Sequence, residues 1–237
     1  MDTRTRHALK QDSFAKATAE SFSWVSGHRS GVLRWTISVA AVLVLCVGGL
    51  VFWSMTTAAA DSALGAALDT YTAPLAMPGA PAENGVYASA SLRSKTAHDQ
   101  FAAVAAKYGW LPEGAKARYF TGITDEELGN NAAAEAELKQ VAAAWSWGNR
   151  DLSNLAKLAL AGLYRQTGRD AQAIDLYNEL AAKPSETVST AAAQLDLADL
   201  YAATGKQDQA RALWAKVKDA DKDGAAGMIA TQKLAGK

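Results

Sequence analysis

Apolar residues between positions 158 and 214 recur on a helical period, and the pattern is written twice, 37 residues apart. Leu158, Leu160, Ala161, Leu163, Tyr164, Thr167, Gly168, Gln172, Ala173 and Leu176 return as Leu195, Leu197, Ala198, Leu200, Tyr201, Thr204, Gly205, Gln209, Ala210 and Leu213. Tyr177 is matched by Trp214, so an aromatic is kept there. Leu160, Leu163 and Tyr164 form one apolar stripe, which predicts a first helix. Gly168 follows where a helix end favours a residue that tolerates the left-handed conformation. Ala173, Leu176, Tyr177 and Leu180 predict a second helix, small at the crossing, and Pro184 stands where it must stop. A period of this size is one hairpin per repeat, stacked into a solenoid. Tyr164, Tyr201, Ala173 and Ala210 are expected to be buried at the hairpin crossings.

Weaker copies precede these two. Gly129, Ala134, Leu138 and Val141 reproduce the spacing of Gly168, Ala173, Tyr177 and Leu180, while the helix before Gly129 departs from the pattern. Ala97, Phe101 and Val104 reproduce only the second-helix stripe, and Ala225 to Leu234 reads as a short capping helix. Alanine-rich helices with few β-branched runs support an all-α assignment. The unit carrying Leu160, Ala161, Tyr164, Gly168, Ala173, Tyr177 and Pro184 resembles a tetratricopeptide repeat. So does its copy with Leu197, Ala198, Tyr201, Gly205, Ala210 and Trp214, although both lack the motif's early tryptophan. The expected fold is all-α: a single N-terminal transmembrane helix, then a short tetratricopeptide-repeat α-solenoid. Its helical domain is placed at 88–237, with clear repeats at about 154–187 and 191–220.

The transmembrane expectation rests on Trp35–Thr57, which holds no charged residue. About 20 such residues cross a hydrocarbon core of roughly 30 Å, and Trp35 and Trp53 stand where interfacial aromatics sit. Arg4, Arg6, Lys10, Lys16, Arg29 and Arg34 precede the segment, and no lysine or arginine follows it until Arg93. The positive-inside rule therefore puts residues 1–34 in the cytoplasm and the repeats outside an inner (plasma) membrane. A cleavable signal peptide is the alternative, since Ala58–Ala60 resembles a cleavage site, but the apolar core is long and 34 residues precede it. Cys46, the single cysteine, permits no internal disulfide, and Leu45 argues against lipoprotein processing there. Asp61–Tyr71 is expected to continue the helix with Leu64, Leu68 and Tyr71 on one face. Pro74, Pro78, Gly79, Pro81 and Gly85 then predict a linker, so 58–87 reads as a membrane-proximal helix and linker. In the tail, Phe14, Thr18, Phe22 and Val25 make a weak apolar stripe.

Charge narrows the function. Residues 93–237 carry 18 basic and 18 acidic side chains, which is no footprint for nucleic acid. His7 and His28 fall on the other side of the membrane from the repeats, His98 has no nearby carboxylate or cysteine pair at ligand spacing, and no serine near a histidine, phosphate loop or paired carboxylates in a plausible pocket are evident. An enzyme is not expected, nor a cofactor or a metal. Asp219, Asp221, Asp223 and Gly224 open like a calcium loop, but Ala230 stands where the bidentate glutamate belongs. The turn is read as a helix cap with Asp223 as the capping group.

The first helices of the repeats present Leu158, Gly162, Arg165, Gln166, Leu195 and Asp199 as candidate groove residues. They are mostly apolar or acidic, which disfavours a carboxylate clamp and suits an extended apolar segment of a partner. The whole layout of basic tail, anchor, membrane-proximal helix and external repeats resembles the membrane-anchored family of ancillary Sec translocon subunits. That resemblance implies partners among translocon subunits, a periplasmic chaperone and exported clients. A periplasmic repeat adaptor coordinating envelope assembly or cell division would use the same layout.

Overall fold

The computed structural model describes residues 29–77, 85–143 and 150–236. The stripe Phe14, Thr18, Phe22 and Val25, the basic residues Arg4 to Lys16, His7, His28, Pro78, Gly79 and Pro81 lie outside the described residues. Two compact units are present, Met1–Thr56 and Thr57–Lys237.

The first unit is helical through its described residues, as part of α1 (Arg29–Thr72). The stretch Leu33–Thr72 is long and apolar enough to cross a membrane, with a window of mean hydropathy 2.4 and none of that window buried within the protein. Leu43, Val44, Leu45, Leu50 and Phe52 are all exposed. A contiguous apolar surface of this kind is costly in water and suits a lipid surround.

The second unit is built from the end of α1 and eight further helices among the described residues. These are α2 (Ala90–Tyr108), α3 (Pro112–Glu127), α4 (Asn131–Ala143), α5 (Arg150–Gln166), α6 (Asp170–Ala182), α7 (Thr190–Ala203), α8 (Gln207–Ala220) and α9 (Ala225–Ala235). From α2 onward, each packs chiefly on its neighbours in sequence, which is the connectivity of a solenoid. Ala60, Leu64 and Ala67 of α1 share a core with Ala97, Phe101, Val104 and Tyr108 of α2, and Tyr71 closes it. Phe101 stacks on Phe120 of α3 at 5.0 Å, and Tyr71 meets Phe101 edge-on at 6.1 Å. The linker after α1 is pinned at both ends: Ala76 N donates to Tyr87 O, Tyr87 N to Pro74 O, and Arg93 Nη1 to Ala73 O.

Three turns between paired helices close identically. Gly129, Gly168 and Gly205 have φ of 81°, 73° and 78°. The next residue's N–H (Asn130, Arg169, Lys206) donates to the carbonyl five back (Asp125, Tyr164, Tyr201), each at 2.8 Å. A side chain at these glycines would be forced into the left-handed region, which is why glycine recurs there. Ala134, Ala173 and Ala210 are fully buried in the second helices, as Ala97 is in α2.

Two expectations are corrected. The helix before Gly129 keeps the repeat register after all: Ala117, Thr121, Gly122, Thr124 and Asp125 are buried where Ala156, Leu160, Ala161, Leu163 and Tyr164 are buried in α5. Its polar groups are satisfied locally. Thr121 Oγ1 donates to Ala117 O, Thr124 Oγ1 to Phe120 O, and Asp125 accepts from Asn130 Nδ2 and pairs with His98 Nε2 at 3.2 Å. Tyr201, in contrast to buried Tyr164, is only half-buried. Arg169 caps the Tyr164 ring at 4.1 Å and is itself held by Glu135, whereas Lys206 lies 5.5 Å from the Tyr201 ring and Ile174 occupies the place of Glu135.

Candidate functional site

The first helices α3, α5 and α7 bury one side and leave another open, and the repeat register lines up their open positions. Tyr119, Leu158 and Leu195 are equivalent, all partly buried at the edge of the core. Ile123, Gly162 and Asp199 form the next row, and Glu126, Arg165 and Ala202 the one after. On α5, Leu155, Leu158, Gly162, Arg165 and Gln166 fall on one face, opposite the buried Ala156, Leu160, Leu163 and Tyr164. A Cβ built on Gly162 would meet no atom within 4 Å, so the face is open at that point.

The candidate residues have different surroundings. Leu158 and Leu195 are half-buried apolar sites, and Arg165 is exposed. Gln166 is exposed and donates from Nε2 to Glu126 Oε1 at 2.7 Å, joining α5 to α3. Asp199 is tied inside the chain: its carboxylate accepts from Trp214 Nε1 at 3.1 Å and from Lys233 Nζ at 2.8 Å. It thus holds α7, α8 and α9 together. The aromatics Trp35 and Trp53 are exposed on α1.

Two carboxylates missed in the sequence border this face: Glu126 shares a row with Arg165, and Asp196 follows Leu195. Glu126 is pushed above the ordinary range by burial, an effect that Gln166 opposes. Asp196 is pushed up by burial too, against the lowering influence of Arg165 and with the raising influence of Asp199. Burial likewise drives Tyr177 of α6, within electrostatic reach of Asp196, Arg165 and Asp199, up to about 12. The signal for Asp196 lay in the alignment of repeats. Its equivalents are Ala159 and Phe120, both apolar.

Elsewhere the chemistry is structural. His98 does gain carboxylates, Asp99 on its own helix at 3.3 Å and Asp125 from α3, a pair that sequence spacing conceals. Among the described residues no group of three or more His, Cys, Asp or Glu could hold a metal ion. In the aspartate-rich turn the capping group is Asp221, not Asp223. Asp221 Oδ2 accepts from Gly227 N at 3.1 Å and Asp221 O from Gly224 N at 3.0 Å, with Gly224 as the N-cap of α9.

With three matched hairpins and their shared register in view, the comparison with solved structures is direct. A protein from Podosopora anserina described as a kinesin light chain of nearly identical TPR-like repeats, in two structures of which one is a point variant, matches with TM-scores of 0.51 and 0.50. Each match covers 60% of this chain and 76% of the other, at 19% identity. The fold is a TPR-like α-solenoid. At that identity the likeness is one of fold. No protein-family model and no curated protein matches the chain.

Proposed function

We propose that this chain is a membrane-anchored interaction protein whose α3, α5 and α7 face holds an extended segment of a partner polypeptide. The observation that carries this reading is the row Tyr119, Leu158 and Leu195, left at the surface beside the open space over Gly162. Partly buried apolar positions aligned across three repeats offer an apolar edge to an extended chain. TPR-like repeats in general mediate contacts between proteins, and the apolar stretch within α1 would confine this face to a membrane surface.

On orientation, the six basic residues before Trp35 and their absence from there to Arg93 support a cytoplasmic N-terminus and external repeats. The layout supports, more narrowly, an ancillary translocon subunit that assists exported proteins together with a periplasmic chaperone. Crosslinking decides the matter. A photoreactive residue at Leu158 or Leu195, activated in spheroplasts, should capture translocon subunits or exported clients, and external protease should release the captured adducts. Adducts confined to cell-wall or division enzymes would transfer the role to envelope assembly. Repeats shielded from external protease would overturn the orientation.

A further inference from the structure

Asp196 stands out at the border of the face described above, next to Leu195, because nothing in the fold calls for a charge there. Its repeat equivalents, Phe120 and Ala159, are packed against the apolar clusters. Asp196 is half-buried, yet among the described residues no hydrogen-bond donor or cation within ion-pair distance meets its carboxylate. The contrast with Asp199, one turn along the same helix, is plain. Asp199 is neutralised by Lys233 and by the Trp214 indole, whereas Asp196 has Asp199 as a like-charged neighbour. Arg165 of α5 lies close enough to influence both Asp196 and Tyr177 but forms no ion pair with either. A partly desolvated carboxylate without a partner is a cost to the folded chain. That cost vanishes when a cation arrives from outside.

We propose that Asp196 is the charge-reading position of the groove, taking the ammonium or guanidinium of an extended partner segment whose neighbouring apolar side chains lie along Leu158 and Leu195. The inference rests on the groove reading given above and adds the chemistry of the occupant. The partner is a polypeptide and not a small cation, because Asp196 directly follows Leu195 of the apolar row and lies within electrostatic reach of Arg165, which stands one turn after the open position Gly162. Arg165 sets the polarity: it disfavours a second cation on its own side, so the basic side chain enters from the α7 side with apolar or acidic groups towards α5.

The probe follows from that chemistry. Peptides of alternating leucine and lysine, and their leucine–glutamine and leucine–glutamate counterparts, are titrated onto the full chain in zwitterionic nanodiscs, with empty discs as the blank. The lysine peptide should bind about tenfold more tightly than the glutamine peptide, the scale of one charge-assisted contact. Asp196→Asn should erase that preference without lowering the melting temperature, since it removes a desolvated charge that no hydrogen bond or ion pair among the described residues uses. Asp199→Ala, which frees Trp214 and Lys233, should lower the melting temperature and keep the preference. Equal binding of all three peptides would overturn the charge-reading role while leaving the groove intact. A preference retained in Asp196→Asn would overturn it as well. Binding of none of the peptides overturns the proposed occupant, and the photocrosslinks from Leu158 then report separately on the groove itself.

Discussion

At the scale of single residues, Gly162 carries the clearest trade between stability and recognition. It lies in the interior of α5, where glycine costs roughly 0.5–1 kcal/mol relative to alanine. The usual reason for such a glycine is close packing, as at Gly122, where a Cβ would come within 2.8 Å of the Leu138 side chain. No atom crowds Gly162. Gly162→Ala should therefore raise stability by about 0.5–1 kcal/mol, read by thermal or chemical melting. It should also weaken binding of the leucine-rich peptides, because the added methyl fills space that the partner uses. A gain in stability with unchanged binding would leave the glycine without a role in recognition.

At the scale of elements, the hairpins are held by small residues at crossings and by side chains that stitch one helix to the next. Ala173 and Ala210 are fully buried, so Ala173→Leu or Ala210→Leu overpacks a crossing and should cost about 1–3 kcal/mol. A loss of only a few tenths for both would mean that these faces are not where the helices meet. The elements also show what the sequence conveyed and what it withheld. The two late hairpins were legible because their buried positions are leucine, tyrosine and alanine at helical spacing. α3 was obscured because Thr121, Thr124 and Asp125 fill its buried positions, and their hydroxyls and carboxylate find partners only once the helix and its neighbours exist. The candidate face was legible as a register, through Leu158 and Leu195. Nothing in the sequence announced that Asp199 would be spent on Trp214 and Lys233 while Asp196 is left alone, since both outcomes depend on where α8 and α9 pack.

Over the whole second unit, Glu135 is the main electrostatic tie between hairpins. It accepts from Arg169 and Tyr164 and pairs with Lys139, so α4 is fastened to the helix pair that follows it. Arg169, then Lys139, hold its carboxyl down at about 2, against an ordinary 4.5. A depressed carboxyl stabilises the fold above its unfolded value and loses that contribution as pH falls from about 4.5 towards 2. The wild-type melting temperature should thus fall across this window more steeply than that of Glu135→Gln. High salt should shrink the difference, because Lys139 and Arg169 are partly solvated. Parallel slopes for the two proteins would show that the tie contributes nothing to cohesion.

The three superposable turns at Gly129, Gly168 and Gly205 bear on how such a chain can grow. The first two are 39 residues apart and the last two 37, yet every turn closes through the same pair of backbone bonds. The second helices α4 and α6 are both 13 residues long, and the difference lies at the start of the first helices, 17 residues in α5 against 14 in α7. Length is therefore free to vary where a first helix begins, while the turn that closes each pair stays fixed. A duplicated block from one glycine to the next would meet, on both sides, surfaces that already fit it. Such a chain is extensible by whole units, and each added unit would lengthen the partly buried row begun by Tyr119, Leu158 and Leu195 by one more step.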